Sequence, residues 1–508
     1  MDALSRIWEG LQGVFLDPTV LIAIVIGAFL GTVIGMLPGL GPSTAIALMI
    51  PLAFAFEPEI TLPMAVCMYL GAEFGGRISA ILLNVPGDVS AMMTTLDGHP
   101  MAKAGKAGYA LSLSAMASFA GSIFGIIGLI FFAPTIAGLA LSLSPTDYFA
   151  LVVAALVVIA VVLSPSTLRG VLTVLAGLAI ATIGIDPQLG TPRFTFGNSF
   201  LLGGVSDLAL IIGVFGVGEV LWILASRNKG DSKIIAVEGQ KYPTFAQLWR
   251  QKWVAVRGSL VGFIIGVLPG AGSGVAGALT YAIEKRLSKT PEKFGTGAEE
   301  GLVGPESGNN AAAAGSIVPM LALGIPGSGT AAVLLAFFIS YGFQPGPQFF
   351  DTQPELAWIV VASMLVGAFV LLAMNLPLVG LFSKILAVPY HYLLPVIMVL
   401  AVIGGYSISN SMFDVYMVLV FGLIGFGMRY VGFSPVLLVI SVILGGLAET
   451  NLRQAIALNN SDYMSALVSQ VALVFYALAL MALVADGVTK LSRRAQNSKN
   501  MIEKVKTP

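Results

Sequence analysis

The chain has 508 residues, of which 57% are hydrophobic and only 10% charged, with 26 basic and 26 acidic side chains and a mean hydropathy of +0.92. A soluble domain carries about 25% charged residues, so a soluble globular fold is excluded, and a net charge of zero gives no basis for binding nucleic acid. One cysteine, Cys67, and two histidines, His99 and His391, exclude an intrachain disulfide, a cysteine or histidine metal cluster and an HExxH protease motif, so no enzyme is expected.

In chain order, "MDALSRIWEGLQGVFLDPTV" has no basic n-region before a short apolar core. It reads as an amphipathic interfacial helix anchored by Trp8, not as a signal peptide. No charge lies between Asp17 and Glu57, yet "IGMLPGLGPST" interrupts that stretch at 34–44. As one straight helix, residues 18–56 would measure about 58 Å, far more than one crossing needs. Further uncharged runs at 111–146, 148–168, 357–383, 392–413 and 463–485 are each long enough to span a bilayer. They are apolar on every side, which excludes the alternating strands of a β-barrel. The fold class is therefore an all-α polytopic membrane protein, with about 11 full spans and two re-entrant hairpins.

The chain repeats itself. "GTVIGMLPGLGPSTAIAL" at 31–48 and "GFIIGVLPGAGSGVAGAL" at 262–279 share ten of eighteen positions at an offset of 231. "NVPGD" (84–88) echoes "GIPGS" (324–328), and "LLGGVSD" (201–207) echoes "ILGGLAE" (443–449). The segmentation is a first repeat over 1–225, a cytoplasmic linker over 226–257, a second repeat over 258–462, and an extra helix with a basic tail over 463–508. Lys and Arg mark cytoplasmic loops. Lys285, Arg286, Lys289 and Lys293 follow the second LPG motif, but no basic residue follows the first in 57–63; Lys103 and Lys106 reverse that bias after the second break. Opposed biases predict inverted-topology repeats. The linker, with Arg227, Lys229, Lys233, Lys241, Arg250, Lys252 and Arg257, sets the N-terminus outside and the C-terminus in the cytoplasm. Arg193 and Arg453 fall on the outer side, against the trend.

Unwound backbone inside a membrane survives only within protein or beside a wet cavity. Half-helix N-termini favour anions, and freed carbonyls favour cations. The four Pro-Gly breaks, at Pro38, Pro86, Pro269 and Pro326, therefore predict a solute and ion site. The candidates for anionic solute are Pro38, Gly39, Gly41, Ser43, Thr44, Pro269, Gly270, Gly272, Ser273, Asn309, Asn310, Gly327, Ser328 and Thr330. Those for a hard cation such as Na⁺ are Asn84, Gly87, Asp88, Glu306 and Gly324, whose oxygens suit it and no transition metal. Packing kinks are the bland alternative for the breaks, and a helix cap for "GPESGNNAAAAGS". Glu73 and Arg77, four residues apart, are expected to neutralise each other, with contact of Arg77 to a substrate carboxylate as the equal alternative. His99 is expected to be solvated in a loop, His391 to be an interfacial anchor, Asp207 and Glu449 to cap helices, and Glu219 to meet a partner or a cation.

The two LPG motifs, the "PESGNNA" run, "GMLPGLGPSTAIALMIPL" and "GAEFGGRISAILLNVPGD" resemble the large membrane subunit of the tripartite tricarboxylate transporters, the TctA family. The resemblance covers nearly the whole chain. It implies a secondary active importer of organic carboxylates such as citrate in the bacterial inner membrane, commonly driven by Na⁺ and needing no other cofactor. It also implies two partners: a small membrane subunit (TctB-like) and a periplasmic solute-binding protein (TctC-like). The alternatives are a passive anion channel, or a carboxylate transporter that works without a binding protein.

Overall fold

Proline and glycine set most helix boundaries in the computed structural model, which describes residues 3–53, 56–186, 188–226, 234–237, 242–459 and 462–506. Arg227, Lys229, Lys233 and Lys241 of the linker lie outside the described residues. Elsewhere the chain is helical except for loops and one short antiparallel ribbon. Ten helical stretches among the described residues are long and apolar enough to cross a bilayer. The difference from about eleven has a physical source. Helix Glu299–Leu323 has the length, but it carries Glu and Asn side chains and is buried from Gly301 to Ala322. A helix wrapped in protein need not match lipid.

The chain forms two units, Met1–Leu141 with Val205–Tyr430, and Ser142–Gly204 with Val431–Pro508. The first opens with α1 (Ala3–Leu16), which buries Ile7, Gly10 and Val14 and leaves Trp8 exposed. There follow α2 (Pro18–Gly35), α3 (Pro42–Ala53), α4 (Pro58–Leu83), α5 (Thr94–Met101) and α6 (Ala107–Ala140). Numbering along the chain, the unit resumes with α9 (Asp207–Ile211) and α10 (Gly218–Ala225), joined by a π-helical stretch. It continues with α11 (Phe245–Val267), α12 (Gly272–Leu287), α13 (Glu299–Leu323), α14 (Gly329–Ser340), α15 (Phe349–Thr352), α16 (Pro354–Asn375), α17 (Val379–Leu386), α18 (Tyr390–Ser409) and α19 (Met412–Tyr430).

Glycines four apart join the central helices in both halves. A Cβ at Gly27, Gly31 or Gly35 of α2 would stand 2.3, 2.2 or 2.1 Å from the carbonyl oxygens of Met64, Met68 and Ala72 on α4. In the second half, Gly258, Gly262 and Gly266 of α11 lie equally close, at 2.6, 2.0 and 2.3 Å, to the carbonyls of Gly304, Gly308 and Ala312 on α13. Lipid provides no hydrophobic drive between helices, so small residues that let backbones approach hold such pairs together. The hairpin α11–α12 closes at its base, where Arg257 Nε and Nη2 donate to Glu284 at 2.9 and 2.6 Å. Its two arms therefore return to one end, as a re-entrant segment requires.

Two local expectations fail against the packing. His99 is not solvated: it sits on α5, buried, with Nδ1 2.9 Å from the Ile81 carbonyl. Arg77 does not pair with Glu73. Its guanidinium donates to Leu111 O at 2.8 Å, Ser114 Oγ at 3.0 Å and Asn375 Oδ1 at 2.9 Å. Among these helices its Nη1 and Nη2 are held by carbonyl, hydroxyl and amide oxygens, while Nε is buried without a partner among the described residues. His391 packs against Tyr392 with the rings tilted by 45° and their centroids 4.1 Å apart, and both rings are exposed.

The second unit comprises α7 (Pro145–Leu163), α8 (Thr167–Ala181), the ribbon β1 (Gly184–Ile185) and β2 (Pro192–Arg193), α20 (Pro435–Leu458), α21 (Tyr463–Leu467) and α22 (Gln470–Lys506). The two arginines that opposed the charge bias are paired within it. Arg193 meets Glu449 at 2.6 Å and Asp186 at 3.3 Å, and Arg453 meets Asp186 at 2.6 Å and Glu449 at 2.7 Å. Glu449 thus binds arginines inside α20 and does not cap a helix. A cavity of about 170 Å³ in this unit is lined by Val153, Leu156, Val171, Leu175 and similar side chains. Its lining is too apolar to hold an anion.

Candidate functional site

In each half the chain leaves its long helix through a left-handed residue. Asn84 ends α4 with φ 58°, and Gly324 ends α13 with φ 69°. The following Pro-Gly turn folds back along the helix just left. Gly87 N–H donates to Gly76 O and Gly327 N–H to Ser316 O, both at 3.3 Å. The hairpin break then docks on that turn: Gly39 N–H donates to Gly87 O at 3.1 Å, and Gly270 N–H to Gly327 O at 3.0 Å. Gly39 and Gly270 need glycine, with φ of 89° and 81°. The unwound groups therefore satisfy one another in pairs. Gly39 and Gly270 have their N–H groups committed, and Gly87 and Gly327 their carbonyls, so the breaks scaffold the site more than they coordinate within it.

Beyond each break the chain reaches for the opposite half. Ser43, in the first turn of α3, lies 3.1 Å from Thr330 Oγ1 in the first turn of α14. In the mirrored contact, α12 approaches the 3₁₀ turn Val89–Ala91: a Cβ at Gly274 would stand 2.8 Å from Val89 Cγ1. Ser273 Oγ donates to Glu73 Oε1 at 3.0 Å, and Asn309 Nδ2 to Ser90 O at 3.2 Å. Tyr69 Oη lies 3.1 Å from Ser316 Oγ and 3.4 Å from Ser328 Oγ. Three helix starts, those of α3, α12 and α14, thus converge with the Val89 turn inside the first unit. Helix starts carry partial positive charge, here surrounded by hydroxyls and with no lysine in the turns themselves, although Thr44, Ser90 and Ala331 already have their N–H groups capped. Such a set suits an anion held by dipoles and hydroxyls.

The expected residues sort unevenly. Ser43, Thr330, Ser273, Ser328 and Asn309 are brought together across the halves. Thr44 is buried and its N–H donates to Gly41 O; Gly41 itself abuts Asp88, and Gly272 abuts Ser328. Pro38 and Pro269 sit within the breaks, half-buried. Asn310 Nδ2 donates to Asn309 Oδ1 at 2.6 Å and to Glu306 O at 3.0 Å, and its own Oδ1 is buried without a partner among the described residues. Of the cation candidates, Asn84 is exposed, and Asp88 Oδ1 caps the Val89 turn by accepting from Ser90 Oγ at 2.6 Å and Ser90 N at 3.1 Å. Gly324 is a helix cap. Both oxygens of Glu306 accept from hydroxyls, one from Thr94 and one from Ser118 at 2.7 Å, which anchors α13 to α5 and α6. Among the described residues no three His, Cys, Asp or Glu side chains gather as a transition-metal site would need. Glu219 binds Arg429 at 2.6 Å and flanks Gly39.

Sequence reasoning missed Tyr69, Ser90 and Ser316. The signal was available on α4: Tyr69, Glu73 and Arg77 recur every fourth residue, a polar stripe on a helix with no exposed face.

The model of the tripartite tricarboxylate transporter TctA family matches residues 21–440. The chain belongs to the TctA family. Two similar proteins come from Agrobacterium vitis. An "Uncharacterized 52.8 kDa protein in TAR-I ttuC' 3'region" is 39% identical over 491 residues, covering 95% of this chain and 96% of its own length. An "Uncharacterized protein in TAR-II ttuC' 3'region" is 46% identical over 201 residues, covering 40% of this chain and 83% of its own length. No solved structure matches. This TctA-family chain is thus a multi-pass membrane component of a tricarboxylate transport system.

Proposed function

We propose that this TctA-family chain is the translocating subunit of a secondary importer that carries an organic di- or tricarboxylate into the cytoplasm down a Na⁺ gradient. A periplasmic binding protein delivers the solute, and a small membrane subunit completes the complex in the inner membrane. The N-terminus lies outside and the C-terminus in the cytoplasm. The observation that supports this reading most is the exchange of hairpin arms between mirrored halves. It draws three helix starts and the hydroxyls of buried Ser328 and Thr330 and half-buried Ser43 and Ser273 into one region. Carboxylate oxygens accept hydrogen bonds from hydroxyls and from first-turn N–H groups, and the helix dipoles favour their charge. The site alternates between the two faces, as inverted repeats allow.

The test is uptake of radiolabelled citrate and related acids into proteoliposomes carrying all three components, with and without an inward Na⁺ gradient. Gradient-dependent uptake that also requires the binding protein is expected. Uptake indifferent to Na⁺ and to membrane potential would remove the coupling, and flux without solute counterflow would favour a channel. Gly39→Val and Gly270→Val place a β-branched residue at positive φ. Each is expected to abolish uptake while the protein remains in the membrane.

A further inference from the structure

Glu73 is the one carboxylate on α4 buried deep within the helix, 2% exposed, and it has no ion pair among the described residues. Oε1 accepts from Ser273 Oγ at 3.0 Å, while Oε2 is buried with no hydrogen-bond partner among the described residues. Arg77, one turn away, is turned to Leu111, Ser114 and Asn375. Two further carboxylates oppose a negative charge on Glu73, Asp88 from the Val89 turn and Glu306 from α13, while Ser90 of that turn brings a hydroxyl to its side. A carboxylate taken out of water with no countercharge costs several kcal/mol, so such a group is held neutral or meets a cation.

Resting on the import reading above, we propose that Glu73 is the seat of the coupling cation, a small monovalent ion bound between the halves. Glu73 supplies the charge from the first half and Ser273 a hydroxyl from the second, with the hydroxyl of Ser90 beside them. These are hard oxygen donors suited to Na⁺ or to a proton on the carboxylate itself. Because Ser273 rides on the α12 arm of the hairpin, the site is complete only when that arm is seated on α4. Ion occupancy and hairpin position are therefore linked, which is the coupling that an ion-driven carrier requires.

The test uses the full chain purified in detergent, without solute or partners, and measures equilibrium binding of ²²Na⁺ at fixed ionic strength, choline replacing Na⁺, together with proton uptake on acid titration. The wild type is expected to bind Na⁺ saturably, with Glu73→Gln weakening it about tenfold or more and Ser273→Ala by less. If the wild type instead takes up a proton that Glu73→Gln does not, without binding Na⁺, the site stands and its ion is the proton. Wild-type Na⁺ affinity together with wild-type proton uptake in Glu73→Gln would overturn the assignment. The thermal midpoint in choline reports whether each variant is folded, and Glu73→Asp, which keeps the charge and withdraws it by one methylene, serves if Glu73→Gln is not. Intact ion binding at Glu73 without carboxylate uptake would sink the import reading alone. Na⁺-coupled uptake at wild-type level by Glu73→Gln would sink this assignment alone.

Discussion

Replacing Gly31 or Gly262 with alanine adds a single methyl group at the middle glycine of each close helix contact. The new Cβ would fall 2.2 Å from Met68 O, or 2.0 Å from Gly308 O, where ordinary contact begins at 3.4 Å. The obstacle is backbone, which no rotamer change can clear, so α2 must retreat from α4, or α11 from α13, by more than about 1 Å. That opens the neighbouring notches at Gly27 and Gly35, or Gly258 and Gly266, as well. Overpacking of this kind costs about 1–3 kcal/mol, against which alanine regains about 1 kcal/mol of helix propensity. Gly138, Gly427 and Gly446 are the controls. They lie in α6, α19 and α20 with nothing within 4 Å of an added methyl, so alanine there should gain up to about 1 kcal/mol. The chain carries its own reporter, because Cys67 is its sole thiol and is fully buried on α4. A thiol-reactive fluorogenic dye should label it only on unfolding, and the labelling midpoint should fall for Gly31→Ala and Gly262→Ala and hold or rise for the controls. Midpoints for the two tight sites equal to or above the controls would refute the packing reasoning.

Arg77→Lys should lower the same midpoint by about 1.5–3 kcal/mol or more, because an ammonium cannot reproduce the guanidinium's spread of contacts to Leu111, Ser114 and Asn375. Ser43→Ala and Thr330→Ala should each reduce uptake, and their double variant should lose less than the two effects added, since the hydroxyls share one contact; strict additivity in uptake assays would deny that coupling. In the second unit, the Leu189 backbone N–H foremost, then that of Gln188 and the Arg453 guanidinium, hold the Asp186 carboxyl below the ordinary carboxylate range. A lowered value means stability present above the unfolded pKa, about 3.9, and lost as pH falls through the folded one. The protection of the Gln188 and Leu189 amides, taken relative to the intrinsic exchange rate at each pH, should therefore fall with acid below about pH 4 in the wild type, and Asp186→Asn should remove that dependence.

Local features were the legible ones. Pro and Gly act on their own backbone, so the breaks at 36–41, 84–88, 268–271 and 324–328 could be placed from sequence, and the repeat offset tied them into two sets. Partner choice was less visible. Four-residue spacing put Glu73 and Arg77 on one face, but it could not report that α6 and α16 offer Arg77 better acceptors while Ser273 claims Glu73. The charge bias left Arg193 and Arg453 on the outer side against the trend, and a count of basic residues could not show that both share Asp186 and Glu449. The polarity of 304–316 was read as ligand chemistry. Part of it instead pins α13 in place, with Glu306 held by hydroxyls of Thr94 and Ser118. The convergence of Ser43 on Thr330, 287 residues away, had no local sign.

That same exchange of arms has a consequence for biogenesis. The start of α3 and the Val89 turn leave the ribosome before their counterparts exist. At about 5–20 residues per second, the 287 residues between Ser43 and Thr330 take roughly 15–60 s to make. Through that interval the hydroxyl of Ser43, the Ser90 carbonyl and the Glu73 carboxylate sit within the bilayer awaiting donors and acceptors not yet translated. A nascent first half is thus a natural client for insertion chaperones, and a chain stopped before residue 273 should be cleared by membrane proteases.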